Sequence, residues 1–308
     1  MTTAHTEITR PPARPLQRLR IYASFVRFEH TLFSLPLILA GVFSAAGPPM
    51  SLGRWVLVGV AAVGARSAAL ALNRLIDARL DALNPRTRSR ELPAGRMRAS
   101  EAWLLLAGSS AAYLAACAAL GPWYLRVAAV PLAVFALYPY LKRVTPLCHF
   151  GVGAALALAP LAGFAAAHPD LRDWAPAALL AVFAFLWVSG FDIIYATLDE
   201  DFDRAHGVRS LVAWLGRKRA LWASGMLHVA AFLVLVFAVR ALSTTAPLFI
   251  GWAPWGYPAL VVVLAGAGVL LYLEQRWAED VNLAFFKVNV AVGFAVLAVV
   301  LLARVGER

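Results

Sequence analysis

Long apolar segments separated by short polar or basic ones make up most of this chain. Apolar runs of about 18 residues or more recur along it, which is enough to cross the hydrocarbon core of a bilayer as a helix. The pattern predicts nine transmembrane spans, at residues 21–46, 55–81, 101–120, 123–141, 150–167, 174–198, 221–239, 248–273 and 284–303. Residues 1–20 are polar, proline-rich and basic, as is typical of a disordered tail. We therefore expect an all-α polytopic membrane bundle, formed by a single domain over residues 21–308.

Composition supports a membrane protein over a soluble one. Of the 308 residues, 61% are hydrophobic and only 15% are charged, whereas soluble domains carry about a quarter charged residues. The net charge of +11 could suggest binding to nucleic acid. However, the Lys and Arg residues lie in short loops between the predicted spans, which is the positive-inside signal of membrane proteins. We therefore expect contact with the lipid bilayer and none with nucleic acid.

The same basic residues predict the orientation of the chain. They are concentrated in the N-terminal segment and in the loops after the second, fourth and sixth predicted spans, and they are sparse in the alternate loops. Because basic loops stay on the cytoplasmic side, we expect the N-terminus to face the cytoplasm across the inner (cytoplasmic) membrane. The polar motifs that end the second and sixth spans would face the same way.

The end of the second span is unusually polar. Asn73, Asp77 and Asp81 are spaced four residues apart, so on a helix they share one face, with a drift of about 40° per step. An ionisable residue inside a span costs roughly 3 kcal/mol at the helix centre and usually marks a functional site. An amide and two carboxylates are oxygen donors suited to a divalent cation. Arg66, further into the span, is either a structural partner of a carboxylate or a substrate contact.

A second acidic motif ends the sixth span. Asp192, Asp199 and Asp203 are spaced seven and four residues apart, so on a continuous helix they return to within about 20° of one another. Tyr195 lies alongside them. The sequence therefore predicts a second acidic column at the same side of the membrane.

A calcium-binding loop is a competing interpretation of this motif. Asp199, Asp201 and Asp203 alternate as they do at the start of an EF-hand loop. That loop requires Gly at its sixth position and Glu at its twelfth, and here those positions hold Arg204 and Ser210. We therefore exclude an EF-hand.

Two acidic columns on spans two and six indicate an internal duplication, and repeats of this kind build binding sites between halves. Face to face, the columns could bind two Mg²⁺ ions that bridge to a substrate diphosphate. Lys142 and Arg143, at the same membrane side, could bind phosphate oxygens or serve only as topology signals. The apolar interior suits a substrate with a lipid tail.

These motifs resemble those of the UbiA-type intramembrane prenyltransferases, over nearly the whole chain. The matching segments are Asn73-x-x-x-Asp77-x-x-x-Asp81 with Asn84-Pro85-Arg86-Thr87, Asp192-x-x-Tyr195-Ala196-x-x-Asp199-x-x-x-Asp203, and Tyr140-x-Lys142-Arg143. The resemblance implies Mg²⁺-dependent transfer of a polyprenyl group from polyprenyl diphosphate to an aromatic acid. Basic residues help the diphosphate leave, and the acceptor ring attacks the resulting allylic cation.

The resemblance also implies a role for each site residue. Asp192 would support the acceptor or remove its ring proton, and Tyr195 would contact the substrate. One Mg²⁺ ion would be bound by Asn73, Asp77 and Asp81, and a second by Asp199 and Asp203. The phosphate or the acceptor carboxylate would be bound by Arg66, Lys142 and Arg143.

The acceptor is not fixed by these motifs. Relatives that use 4-hydroxybenzoate often carry Asp-Lys-Pro-Ile-Gly in the first span, where this chain has Val26-Arg27-Phe28-Glu29-His30. This variant resembles a branch commonly labelled 4-hydroxybenzoate polyprenyltransferase, some of whose members are thought to prenylate a dihydroxynaphthoate in the futalosine route to menaquinone. We expect 4-hydroxybenzoate or a related hydroxy-aromatic, in ubiquinone or menaquinone biosynthesis. A cation-coupled transporter is the alternative from a different class, since buried acids also mark ion pathways.

Overall fold

The computed structural model describes residues 15–27, 31–45, 47–243, 249–250, 253–277 and 284–306, and nearly all of them lie in helices. The helices are α1 (Pro15–Phe25), α2 (Thr31–Val42), α3 (Leu52–Leu83), α4 (Ala99–Leu120), α5 (Pro122–Val127), α6 (Ala129–Val144), α7 (His149–Ala167), α8 (Ala175–Ala196), α9 (Glu200–Ala205), α10 (Leu211–Leu215), α11 (Arg217–Ser243), α12 (Ala253–Arg276) and α13 (Ala284–Ala303). Two short strands, β1 (Phe249–Ile250) and β2 (Val305–Gly306), pair in parallel. The predicted all-helical membrane fold is confirmed.

Seven segments of the described chain are long and apolar enough to cross a membrane, so this is a multi-pass membrane protein. They are Leu52–Leu83, Ala99–Leu120, Pro122–Val144, His149–Ala167, Ala175–Ala205, Arg217–Ser243 and Trp255–Arg276. The apolar part of α13, Lys287–Ala303, is shorter. The predicted count of nine spans is therefore approximate.

The first predicted span, residues 21–46, is wrong as a continuous helix. Helix α1 ends at Phe25, and Arg27 in the turn that follows has a φ of 46°, which interrupts a right-handed helix. Helix α2 has 12 residues and spans about 18 Å, less than the roughly 30 Å of a bilayer core. Residues 15–20, predicted as part of a disordered tail, form the start of α1, whereas Glu29 and His30 lie outside the described residues.

Helix α8 lies at the centre of the bundle. Its side chains Phe183, Trp187 and Val188 are fully buried, and they pack in one apolar cluster with residues of α2, α11, α12 and α13. Helix α7 packs between α2 and α8, and α3 pairs with α4 and contacts α6. Because lipid is as apolar as these side chains, close packing is what holds such helices together. This arrangement brings the ends of α3, α6 and α8 and the start of α7 to one end of the bundle.

Helices α2 and α7 approach each other closely through two glycines. A Cβ atom added to Gly41 would lie 1.9 Å from the carbonyl oxygen of Pro160, and one added to Gly163 would lie 2.0 Å from that of Ile38. Neither distance is possible for real atoms, so any side chain at these positions forces the two backbones apart. Small residues at helix contacts of this kind are typical of membrane bundles.

We predict that Gly163→Ala destabilises the fold, because the added methyl group meets backbone rather than a movable side chain. The expected loss is about 1–3 kcal/mol, measured as a lower midpoint of thermal unfolding in detergent by tryptophan fluorescence. Gly59→Ala is the matched control, since a Cβ there meets nothing within 4 Å and alanine favours a helix. Equal midpoints for the two variants would contradict the close contact of α2 and α7.

Candidate functional site

A cavity of about 310 Å³ opens at the end of the bundle where α3, α6 and α8 end and α7 begins. It is lined by side chains from both predicted acidic motifs, although these motifs are more than a hundred residues apart in the sequence. Eight of the ten predicted site residues line it: Asn73, Asp77, Asp81, Lys142, Asp192, Tyr195, Asp199 and Asp203. The structure therefore brings the two motifs to the same end of the bundle and into one site.

Asp77 is the most deeply buried carboxylate of the first motif, with 2% of its surface exposed. Lys142 Nζ donates to its Oδ2 at 2.5 Å, and Arg143 Nη2 donates to its Oδ1 at 3.1 Å. The amide of Asn73 donates to Oδ2 at 3.3 Å, and the Arg143 guanidinium lies over the Tyr140 ring. The two basic residues at the end of α6 therefore neutralise the carboxylate on α3. Arg143 reaches Asp77 from outside the cavity lining.

Asp81 is neutralised by the loop that follows its own helix. Arg90 Nη1 lies 2.8 Å from both carboxylate oxygens of Asp81. The Thr87 hydroxyl donates to the backbone carbonyl of Asp81 at 3.1 Å, which satisfies an acceptor near the end of α3. These contacts fold the segment after α3 back over the carboxylate.

Asp199, in the second motif, is bound by the same loop. Arg86 donates to both of its carboxylate oxygens, with Nε at 2.9 Å from Oδ1, and the Asn84 amide donates to Oδ1 at 2.8 Å. Arg86 also lies over the Tyr195 ring and donates to its hydroxyl at 3.0 Å. Burial alone would lower the pKa of Arg86, but its contacts with Asp199 and Tyr195 hold that pKa above its usual value. The two halves of the chain are therefore joined by an ion pair across the cavity.

The predicted continuous helix through the second motif is wrong in detail. Helix α8 ends at Ala196, a 3₁₀ turn covers Thr197–Asp199, and α9 begins at Glu200. A 3₁₀ turn advances about 120° per residue rather than 100°, so the expected angular offsets do not apply. Asp203 still reaches the cavity and is 8% exposed.

Asp192 has a different partner from the other carboxylates. The Nδ1 atom of His149 lies 2.7 Å from Asp192 Oδ2, and the Nε2 atom of His149 accepts a hydrogen bond from the backbone N–H of Leu211 at 3.2 Å. The histidine is 3% exposed, while the carboxylate, at 27%, faces the cavity. His149 and Asp192 therefore form a pair in which only the carboxylate is accessible.

The remaining predicted residue, Arg66, is not part of the cavity lining. It lies on α3 about three turns before Asp77 and is close enough to Tyr138 to interact with it electrostatically. Tyr138 lines the cavity and is also close to Asp77 and Asp192. Arg66 therefore lies near a residue of the cavity wall without lining the cavity itself.

Several residues of the site are not indicated by the two acidic motifs. In the sequence Arg86 and Arg90 are typical of a basic loop, and Asn84 belongs to a matching segment without a role of its own. His149 has one usable signal, since it is a histidine at the start of an apolar helix, just after a basic loop. The cavity adds these residues as partners of the predicted carboxylates.

The ligand atoms of the cavity are of the types that a divalent metal prefers, but their positions in the described structure do not form a metal-ligand cluster. Five carboxylates and two amides line the cavity, and Mg²⁺ prefers such oxygen ligands. Across the part of the chain that the structure describes, no three acidic, histidine or cysteine side chains form a metal-ligand cluster. Asp77, Asp81 and Asp199 are instead paired with Lys and Arg. A metal would therefore have to displace these cations.

Glu91 anchors the loop that carries Arg86 and Arg90. It is 4% exposed and accepts hydrogen bonds at 2.7 Å from both the Ser24 hydroxyl on α1 and the Arg74 guanidinium on α3. Burial would raise the pKa of Glu91, but the Ser24 and backbone hydrogen bonds and the Arg74 charge hold it below its usual value. One carboxylate therefore ties α1, α3 and the loop together.

We predict that Glu91→Gln destabilises the protein at pH 7 by roughly 3 kcal/mol, since it leaves the buried Arg74 without its counter-charge. Because the pKa of Glu91 is lowered by folding, the contribution of its carboxylate is present above the unfolded value and is lost as the pH falls through the folded value. Thermal unfolding in detergent should therefore separate the variant from wild type at pH 7, and the difference should shrink as the pH falls below the ordinary Glu value of 4.5. A difference that stays constant with pH would contradict this role.

Comparison with known proteins gives consistent matches over most of the chain. The family model described as "UbiA prenyltransferase family" matches residues 34–302. The 4-hydroxybenzoate octaprenyltransferase of Cupriavidus pinatubonensis is 32% identical over 256 residues, covering 81% of this chain and 86% of that protein. The apo structure of a UbiA homolog from Aeropyrum pernix K1 is 35% identical with a TM-score of 0.76, covering 87% of this chain and 95% of that one.

A more distant structure shares the fold. It is a UbiA homolog from Archaeoglobus fulgidus bound to GPP and Mg²⁺, which is 18% identical with a TM-score of 0.65, covering 91% of this chain and 99% of that one.

Proposed function

The chain belongs to the UbiA prenyltransferase family and is a prenyltransferase, and from this premise we propose that it transfers a polyprenyl group from a polyprenyl diphosphate to an aromatic acid with the help of Mg²⁺. One observation carries the proposal. The acidic motifs of α3 and of α8 with α9 line a single cavity, together with Lys142 and two arginines. Such a site combines ligands for a metal with cations for a diphosphate.

The proposed acceptor is 4-hydroxybenzoate or a related hydroxy-aromatic acid, in quinone biosynthesis. The names of relatives support this choice, since those matched over about four fifths of this chain are 4-hydroxybenzoate octaprenyltransferases. The alternative acceptor is a dihydroxynaphthoate. We also infer that the cavity faces the cytoplasm, because the basic loops lie at its end of the bundle. A transporter is not proposed, since the family is one of transferases.

The proposed metal ligands follow the two motifs. Asn73, Asp77 and Asp81 would hold one Mg²⁺ ion, and Asp199 and Asp203 would hold a second. Bound magnesium supplies neutralisation of the charge that develops on the leaving diphosphate.

The cations of the site have a matching role. Lys142, Arg86 and Arg90, which pair with Asp77, Asp199 and Asp81, would turn to the diphosphate oxygens once those carboxylates bind metal. Arg143 would assist at the same end. Hydrogen bonds from Arg and Lys to phosphate are charge-assisted, as those to carboxylate are, so the cations keep strong partners when the carboxylates bind metal.

The reaction then needs an allylic cation that is shielded from water and a base that accepts the ring proton of the aromatic substrate. Cleavage of the bond between the prenyl carbon and the diphosphate oxygen leaves an allylic cation, which the apolar bundle shields from water. A ring carbon of the acceptor attacks it, and the ring proton goes to the Asp192 carboxylate. Tyr195 would contact the substrate, and Arg66, beyond Tyr138, would bind the acceptor carboxylate.

We predict that Asp77→Asn and Asp199→Asn each lower the rate of prenyl transfer at least about 100-fold, because each removes a carboxylate ligand of the proposed Mg²⁺ that would neutralise the leaving diphosphate. The measurement is formation of prenylated 4-hydroxybenzoate in membranes supplied with a polyprenyl diphosphate and Mg²⁺.

Asp201→Asn is the matched control, since Asp201 is exposed, belongs to the same acidic segment and does not line the cavity. It should leave the rate within about twofold of wild type. If the two site variants turn over like this control, the proposed metal ligands are wrong.

We predict that 4-hydroxybenzoate is prenylated in preference to dihydroxynaphthoate when both are offered together with donors of mixed chain length. Mass analysis of the lipid extract identifies the acceptor and the chain length in one experiment. Exclusive prenylation of the naphthoate would replace the proposed acceptor by the alternative, whereas no prenylated acid of either kind would refute the proposed function.

A further inference from the structure

His149 occupies a distinctive place in the cavity wall. It is the first residue of α7, it is 3% exposed, and its ring contacts one polar partner on each side. Nδ1 lies 2.7 Å from Asp192 Oδ2 on α8, and Nε2 lies 3.2 Å from the backbone nitrogen of Leu211 at the start of α10. A buried histidine with both ring nitrogens engaged has a fixed orientation.

The partner on the Leu211 side determines where the imidazole proton lies. A backbone N–H can only donate, so the Nε2 atom of His149 must accept and carries no proton. The ring is then neutral with its hydrogen on Nδ1, and it donates that hydrogen to Asp192. A second ring proton would face the Leu211 N–H group and break this hydrogen bond.

This arrangement also fixes the direction of one oxygen of Asp192. Its Oδ2 accepts the Nδ1–H of His149, so this oxygen is held in one direction. Unlike Asp77, Asp81 and Asp199, Asp192 has no Lys or Arg ion pair among the described residues. Asp192 is therefore a cavity carboxylate that an imidazole orients and that no Lys or Arg in the described chain pairs with, which suits a proton acceptor.

We propose that His149 is a positioning residue, which holds the Asp192 carboxylate in the geometry to accept the proton of the aromatic acceptor. This inference rests on the proposed function and adds a residue to it. The order of the contacts is the backbone of Leu211, the imidazole of His149, and the carboxylate of Asp192. Ligand histidines in metal sites are oriented in a similar way by groups behind them, and loss of such a group typically lowers activity 10- to 100-fold.

Two substitutions separate positioning from support of the fold. In His149→Asn, the side-chain amide lies near the place of Nδ1 and can still donate to Asp192, but it loses the acceptor for Leu211. In His149→Gln, the amide reaches the place of Nε2 and can still accept from Leu211, but it loses the donor to Asp192. Both variants are made in the full-length protein and assayed in membranes with polyprenyl diphosphate, 4-hydroxybenzoate and Mg²⁺.

We expect His149→Gln to lower kcat about 10- to 100-fold with a donor KM within about twofold of wild type, and His149→Asn to retain most of the rate. In an Asp192→Asn background, His149→Gln should have little further effect, because its action passes through Asp192. A purely structural histidine gives the opposite result: equal losses for both variants, or a smaller loss for Gln, together with additive effects in the double variant. That result would overturn the proposal.

A measurement without turnover tests the same geometry. Nitrogen NMR of protein labelled with ¹⁵N-histidine, with His149→Gln used to assign the signal among the six histidines, reports which ring nitrogen carries the proton. We expect a neutral ring with hydrogen on Nδ1 at pH 7. A ring protonated on Nε2, or on both nitrogens, would refute the inference. If wild type prenylates no aromatic acid, the proposed function fails, while this measurement still decides whether His149 donates to Asp192 through its Nδ1–H.

Discussion

The site depends on the need to neutralise buried carboxylates at the end of a membrane bundle. Asp77 has 2% of its surface exposed, and an isolated anion in such a place would lose most of its hydration. Lys142 and Arg143 compensate for that loss from a neighbouring helix, and Arg90 does so for Asp81 from the adjoining loop. These ion pairs determine where the end of α6 and the loop after α3 must lie. The charges of the proposed site and the tertiary structure at this end of the bundle therefore depend on the same contacts.

The helices provide the framework for this charge arrangement. The C-terminal ends of α3, α6 and α8 meet the N-terminal end of α7, so side chains from distant parts of the sequence reach one cavity. Close contact of α2 and α7 at Gly41 and Gly163 keeps the apolar part of the bundle dense, about three turns along α7 from the cavity. A dense apolar wall next to a polar end suits a substrate that has a charged head and a hydrocarbon tail. The fold thus places a polar cavity at the end of the bundle next to an apolar interior.

Much of this could be predicted from the sequence, and the exceptions have physical reasons. The four-residue spacing of Asn73, Asp77 and Asp81 places them on one face of any α-helix, so α3 was correctly anticipated. The first span was wrong because apolar composition does not reveal the turn at Arg27. The 3₁₀ turn that contains Asp199 could not be predicted either. An α-helix turns about 100° per residue and a 3₁₀ turn about 120°, and amino-acid composition does not distinguish the two. The partners of the carboxylates were missed because pairing is a property of tertiary structure.

The ion pair between Arg86 and Asp199 has a consequence for access to the cavity. It connects a loop of the first half of the chain to a turn of the second, 113 residues further on. A diphosphate carries more charge than a carboxylate and competes for the same guanidinium. Under the proposed function, an entering headgroup would compete with Asp199 for Arg86 and weaken this link between the two halves. Binding of the ligand and opening of the cavity would then occur together.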